Sequence, residues 1–260
     1  MSIKPTGEER AIKRRAGATV DGAPISYVIA LAAVVAVLAF VPLSIVIGSG
    51  KSFPMSQAVY PLVGWILGPV AGALADGVGA LVGVLIAPHT TTIPAATVFG
   101  AVMAGLAAGC MNGEGRRGWW WLPLSILLFV VYGLYVGRAV FRNGVAWWAA
   151  LLGSIIDGSA LLLFVLPTRL LIARWLASEN AGLRAVGLFL GTWVGAGISH
   201  LCAAVIVYYV FNWPQAVWLT IAPLAPLEHA LRSLVGAVIG SGVIAGLGAT
   251  GLLRPEHARY

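Results

Sequence analysis

The chain has 260 residues, 60% of them hydrophobic and only 10% charged, with a mean hydropathy of +0.93. A soluble domain carries about a quarter of its residues as charges, so water is excluded as the main solvent and a lipid bilayer is implied. The net charge of +7 reads as basic residues collected on cytoplasmic loops rather than as a nucleic-acid surface, and spans of about 20 residues each leave no room for a separate soluble domain.

Residues 1–24 form a basic N-terminal segment with Lys4, Arg10, Lys13, Arg14 and Arg15, expected to stay in the cytoplasm. The apolar run that follows, about 25–47, is longer than a signal peptide's and is read as a retained first helix. Seven more apolar segments follow at about 54–67, 69–87, 95–111, 119–136, 145–167, 185–211 and 228–252. The expected fold is therefore an all-α polytopic bundle of six to eight transmembrane helices over 25–252, with a cytoplasmic tail over 253–260. Six applies if the short second and third segments form a re-entrant pair around Gly68-Pro69, where proline disfavours helix in the residue before it. Of the linkers, only Thr168–Arg184 is charged enough to lie as an amphipathic segment on the membrane surface.

With the N-terminus inside, twelve of the sixteen Lys and Arg residues fall on the cytoplasmic side. Lys51, Arg138, Arg142 and Arg232 fall outside, a clear positive-inside bias that also places the C-terminus in the cytoplasm of a plasma-membrane protein. Trp119, Trp120 and Trp121 follow Arg116-Arg117 as an aromatic belt at the inner interface would. Small residues recur at spacing four in Gly64/Gly68/Gly72, Ala75/Gly79/Gly83, Gly105/Gly109, Gly187/Gly191/Gly195 and Gly236/Gly240, as close-packed membrane helices require. Cys110 and Cys202 sit in apolar runs and read as packing residues.

An ionisable group inside a membrane segment is a functional candidate by default. Asp76 lies in the third segment and Asp157 in the sixth, and buried structural carboxyls are the alternative reading of both. A second group gathers on the outer side: His89, His200, Glu228, His229 and Arg232, with Glu228 paired to Arg232 one helical turn on. No compact histidine spacing occurs, so a polar ligand patch is preferred to a metal site, and interfacial snorkelling is the competing reading. Aromatic residues join that face, among them Phe53, Tyr60, Trp147, Trp148, Tyr208, Tyr209, Trp213 and Trp218. A membrane belt and the wall of a pocket for a flat ligand use the same residue types. Walker A, dinucleotide-binding, HExxH and nucleophile-elbow motifs are missing. No catalytic residue, cofactor or metal is expected, and energy for any transport must come from a gradient or a partner.

The stretch Phe53–Gly79 carries a short apolar segment ending at Gly68-Pro69 and then Gly72 and Asp76. It resembles the second and third helices of substrate-binding (S) components of energy-coupling factor (ECF) vitamin transporters, a likeness covering about residues 25–111. The resemblance implies a chain that captures a vitamin-like small molecule from outside, under a loop around Lys51–Gln57. It further implies docking through Ala32 and Ala36 on a transmembrane coupling subunit, with uptake driven by two ATPase subunits. Candidate ligand residues under that reading are Lys51, Gln57, His89, Trp147, Asp157, His200, Tyr208, Glu228, His229 and Arg232. The chain is longer than the family's usual six helices, and its second half carries no family signature, so substrate identity does not carry over. The rival expectations are a stand-alone gradient-driven carrier using Asp76 and Asp157, a lipid-acting enzyme using His89, His200 and Glu228, and a structural subunit of a larger membrane complex.

Overall fold

A computed structural model describes residues 18–46, 51–111, 118–250 and 254–260, and the side chains of 44–46 and Lys51 fall outside the description. The basic residues before 18 and the Arg116-Arg117 pair likewise lie outside the described residues. The chain is an all-α polytopic bundle with two small hairpins. Its elements are β1 (Thr19–Val20), β2 (Ala23–Pro24), α1 (Ile25–Leu38), β3 (Pro42–Val46), β4 (Lys51–Pro54), α2 (Tyr60–Leu67), α3 (Pro69–Ile86) and α4 (Pro94–Cys110). Then follow α5 (Trp121–Gly137, continued by a π-turn at Arg138–Arg142), α6 (Trp147–Gly153), α7 (Ile155–Val165), α8 (Thr168–Leu176), α9 (Ala181–Phe211) and α10 (Gln215–Thr250).

Among the described residues, four helical stretches are long and apolar enough to cross a membrane alone: Pro69–Ile86, Trp121–Arg142, Ala181–Phe211 and Gln215–Thr250. The pair α6–α7, bent by 71° at Ser154, makes a fifth if taken as one broken span. Large side chains such as Leu85 and Val238 stand 72% and 67% exposed on these helices, which only a lipid environment makes reasonable. With eight residues, α2 is about 12 Å long, too short to cross the roughly 30 Å hydrocarbon layer by itself.

Small residues set the direction of each leg. A Cβ on Gly79 would lie 2.6 Å from Ala32 O, and one on Gly83 would lie 2.7 Å from Ala39 Cβ, so α1 and α3 run parallel in near backbone contact. Gly105 faces Gly72 and Gly109 faces Gly68-Pro69, which makes α4 antiparallel to α3. Gly191 meets Trp65 and Gly195 meets Pro61, while Gly236 meets Thr192 and Gly240 meets Leu188, so α9 opposes both α2 and α10. Gly22 lies against Glu256, which brings β1–β2 and the 254–260 tail to the same end of the bundle. We call that the tail end; the β3–β4 hairpin marks the opposite, hairpin end.

Three boundaries and one expected docking face differ from expectation. The first apolar run does not stay helical to 47: it leaves the helix after Leu38, and Pro42–Val46 pairs antiparallel with Lys51–Pro54. Pro42 disfavours helix at Val41, and the β-branched residues beyond it suit a strand. The last helix starts at Gln215, not near 228, and runs through Pro223 and Pro226. Glu228, His229 and Arg232 thus lie inside a 36-residue helix instead of at its outer end. The sixth segment breaks at Ser154, whose Oγ donates to Ala150 O (2.7 Å), a side-chain bond that competes with helix continuation. Finally, Ala32 and Ala36 are each only 7% exposed because α3 covers them. They are used inside the protein and present no free docking face.

Candidate functional site

At the hairpin end a cavity of about 130 Å³ opens between β4, the Pro88–Ile93 turn, the first turn of α4 and the outer half of α9. Local sequence explains its shape. Pro88 and Pro94 bracket His89-Thr90-Thr91-Thr92-Ile93 and hold it out of both helices. The start of α4 comes close to α9 because Gly100 lies against the Ser199 backbone, where a Cβ would sit 2.7 Å from Ser199 O.

The walls are partly apolar (Ile93, Ala96, Ala203, Val207) and partly aromatic (Phe53, Phe211, Trp213). Polar groups enter from Gln57, the three threonines, Thr97, Ser199 and His200. Several of these are already engaged: Thr90 Oγ1 donates to Ala87 O (2.8 Å), and the Thr91 and Thr97 hydroxyls bond each other (2.7 Å). Among the described residues, the Gln57 amide, the Ser199 and Thr92 hydroxyls and the Trp213 indole N–H have no protein hydrogen-bond partner.

His200 is the chemical centre of the wall. Its Nδ1 donates to Asp157 Oδ1 at 2.7 Å, and the carboxylate is buried, with only 1% of its side chain exposed. The carboxylate therefore fixes the ring's orientation and puts a proton on Nδ1. The second oxygen, Asp157 Oδ2, is buried without a partner. Behind the wall lies a second polar cluster. His229 Nε2 meets Trp193 O (2.8 Å), and Arg232 Nη1 donates to His229 Nδ1 (3.1 Å). A carbonyl only accepts and a guanidinium only donates, so this imidazole is neutral with its proton on Nε2. The Arg232 guanidinium carbon sits 4.8 Å from the centre of the Phe53 ring, and the Phe53 and His200 rings are 6.3 Å apart. Phe53 of the hairpin thus separates the cavity from a buried cation.

The predicted residues divide clearly. Gln57 and His200 line the cavity, and Asp157 acts on it through His200. His229 and Arg232 are buried behind Phe53, and Glu228 is half-buried without lining the cavity. Glu228 and Arg232 do not touch: the guanidinium turns to His229 and Phe53, and Glu228 acts on it only through longer-range electrostatic attraction. His89 is exposed in its turn, beside the cavity-lining Thr90 but outside the wall. Trp147 is 66% exposed on the bundle surface, and Tyr208 is fully buried among Tyr135, Trp213 and Trp218. Lys51 contributes backbone to β4, and its side chain lies outside the described residues. The signal overlooked in the sequence is the Thr90-Thr91-Thr92 run between two prolines, which reads as a mere linker until α9 is packed beside it.

The Gly68-Pro69 motif makes the sharp turn between α2 and α3: Gly68 has φ +86°, a left-handed conformation that glycine adopts without strain, and Pro69 opens α3. Gly72 lets α3 lie against Gly64, and Asp76 is fully buried against Gly105 with neither carboxyl oxygen hydrogen-bonded. Among the described residues, no three His, Cys, Asp or Glu side chains gather as a metal site would. No protein-family model, curated protein or solved structure matches this chain.

Proposed function

We propose that this chain is a membrane-embedded small-molecule-binding subunit of the kind its N-terminal half resembles, the S component of an ECF-type vitamin transporter. The observation that carries the reading is the cavity at the hairpin end. It is lined by Phe53 of β4 and by an imidazole that a buried carboxylate orients, with free polar groups beside it. Pre-oriented polar groups in a mostly apolar concavity are what ligand capture needs.

In this reading the hairpin end faces outward, with the tail end and both termini in the cytoplasm of the plasma membrane. A vitamin-like molecule enters beneath the hairpin, and a coupling subunit with two ATPases powers its transfer. Docking would use the outward face of α1, with Ile29, Ala33 and Val37 exposed, since α3 occupies Ala32 and Ala36. Affinity isolation from native membrane, with mass spectrometry of partners and bound small molecules, tests the proposal. Co-isolated ATPases support it. Uptake by the purified chain alone in proteoliposomes would refute it in favour of a gradient-driven carrier, the alternative that the unpartnered, fully buried Asp76 favours.

A further inference from the structure

The proposed function leaves the ligand's chemical class open, and the polar groups around the cavity narrow it. His200 is the one ionisable side chain lining the cavity among the described residues, and its Nδ1 proton is committed to Asp157. Arg232 is screened by Phe53 and bonded to His229, and no carboxylate lines the wall. Among the described residues, the wall therefore presents no free ion of its own to a ligand: Asp157 is reached only through His200, and Arg232 only across Phe53. A carboxylate or an ammonium entering it would lose hydration without gaining a counter-ion in direct contact.

Five polar groups of the lining remain free among the described residues: the exposed Thr92 hydroxyl, the Trp213 N–H, and three of mixed character. The Gln57 amide both donates and accepts, as does the Ser199 hydroxyl, and His200 has its Nε2 uncommitted. A buried polar group left without a partner is costly, so a ligand that answers all three needs donors and acceptors within a small frame. Size limits it further. At about 130 Å³ the cavity is slightly smaller than one of about 150 Å³ that accommodates benzene. Phe53, Phe211 and Trp213 supply aromatic faces along its sides.

We infer that the cavity binds an uncharged, single-ring compound bearing an amide-like donor–acceptor edge, held by Gln57, Ser199 and the Asp157-oriented His200. This rests on the reading of the chain as a ligand-binding subunit, but it concerns the site alone. Three probes of one size and different charge test it on the full chain in lipid nanodiscs: benzamide, benzoate and benzylamine, followed by saturation-transfer NMR. Benzamide should bind at least about tenfold more tightly than either ion, a conservative floor for the penalty of an unpaired charge. Ser199→Ala should weaken benzamide severalfold and His200→Ala about tenfold, each corresponding to one lost hydrogen bond. The thermal midpoint of each variant separates lost binding from lost folding, and the small Ser199→Ala change keeps the test open if His200→Ala does not fold. Equal or tighter binding of benzoate or benzylamine, no binding by any probe, or full benzamide binding by a folded Ser199→Ala, His200→Ala double variant would overturn the inference. Benzamide selectivity without co-isolated ATPases would leave the site assignment standing and remove the coupled-transporter reading.

Discussion

The α3–α4 contact predicts opposite fates for one substitution at two glycines. At Gly105 a new Cβ would run into the Asp76 carboxyl, lie 2.9 Å from Gly72 C and lie 3.0 Å from Ala73 N. Two of these neighbours are backbone atoms and cannot rotate away, so the helices must separate. Overpacking of this kind costs about 1–3 kcal/mol, and the rigid neighbours put Gly105→Ala near the upper figure. Against that, Gly→Ala within a helix gains about 1 kcal/mol of propensity, leaving a net loss of about 2 kcal/mol. At Gly133, on the exposed side of α5, nothing lies within 4 Å of the added Cβ, so only the propensity gain applies. The two variants should therefore differ by about 3 kcal/mol. At roughly 2–4 °C per kcal/mol for a chain of this size, that is about 6–12 °C in thermal midpoint. Detergent-solubilised protein followed by tryptophan fluorescence gives the comparison, with Gly133→Ala at or slightly above wild type. Midpoints that moved together, or a rise for Gly105→Ala, would show that α3 and α4 are not in backbone contact.

Three further outcomes follow from the geometry. His229→Leu strands the buried Arg232 guanidinium without its acceptor and should cost about 2–3 kcal/mol; His229→Leu with Arg232→Met should recover most of it, and no recovery in the same unfolding assay would contradict the pairing. Removing residues 254–260 deletes the Arg259 N–H to Trp65 O bond (2.7 Å) and uncovers Gly68, against which His257 packs. In a Cys202→Ser background, maleimide should then label Cys110, the neighbour of Gly109 on Pro69, faster than in the full chain; an unchanged rate would mean the tail does not close that end. For sidedness, a membrane-impermeant thiol reagent on intact cells should reach Arg142→Cys at the hairpin end and spare Glu179→Cys in the α8–α9 turn, and the reverse pattern would invert the orientation.

Composition alone determined the solvent, the fold class and the packing style. An oily chain must satisfy its backbone hydrogen bonds internally, which favours helices, and glycines at spacing four mark where those helices approach. The amphipathic reading of 168–184 was also local, and it emerges as the short helix α8 followed by a turn. Tertiary structure alone decided which polar residues meet. Asp157 and His200 are 43 residues apart and pair because Gly197 lets α7 lie against α9 at Ala160. His229 and Arg232 were visible as neighbours, but their burial depended on α10 continuing helically through Pro223 and Pro226, which read as a linker because proline disrupts helices in water. Ala32 and Ala36 show the same limit from the other side: a small-residue stripe says that something packs there, and only the fold says that it is α3. Periodicity and hydropathy are properties of one segment, whereas a binding site is made by the relative placement of several.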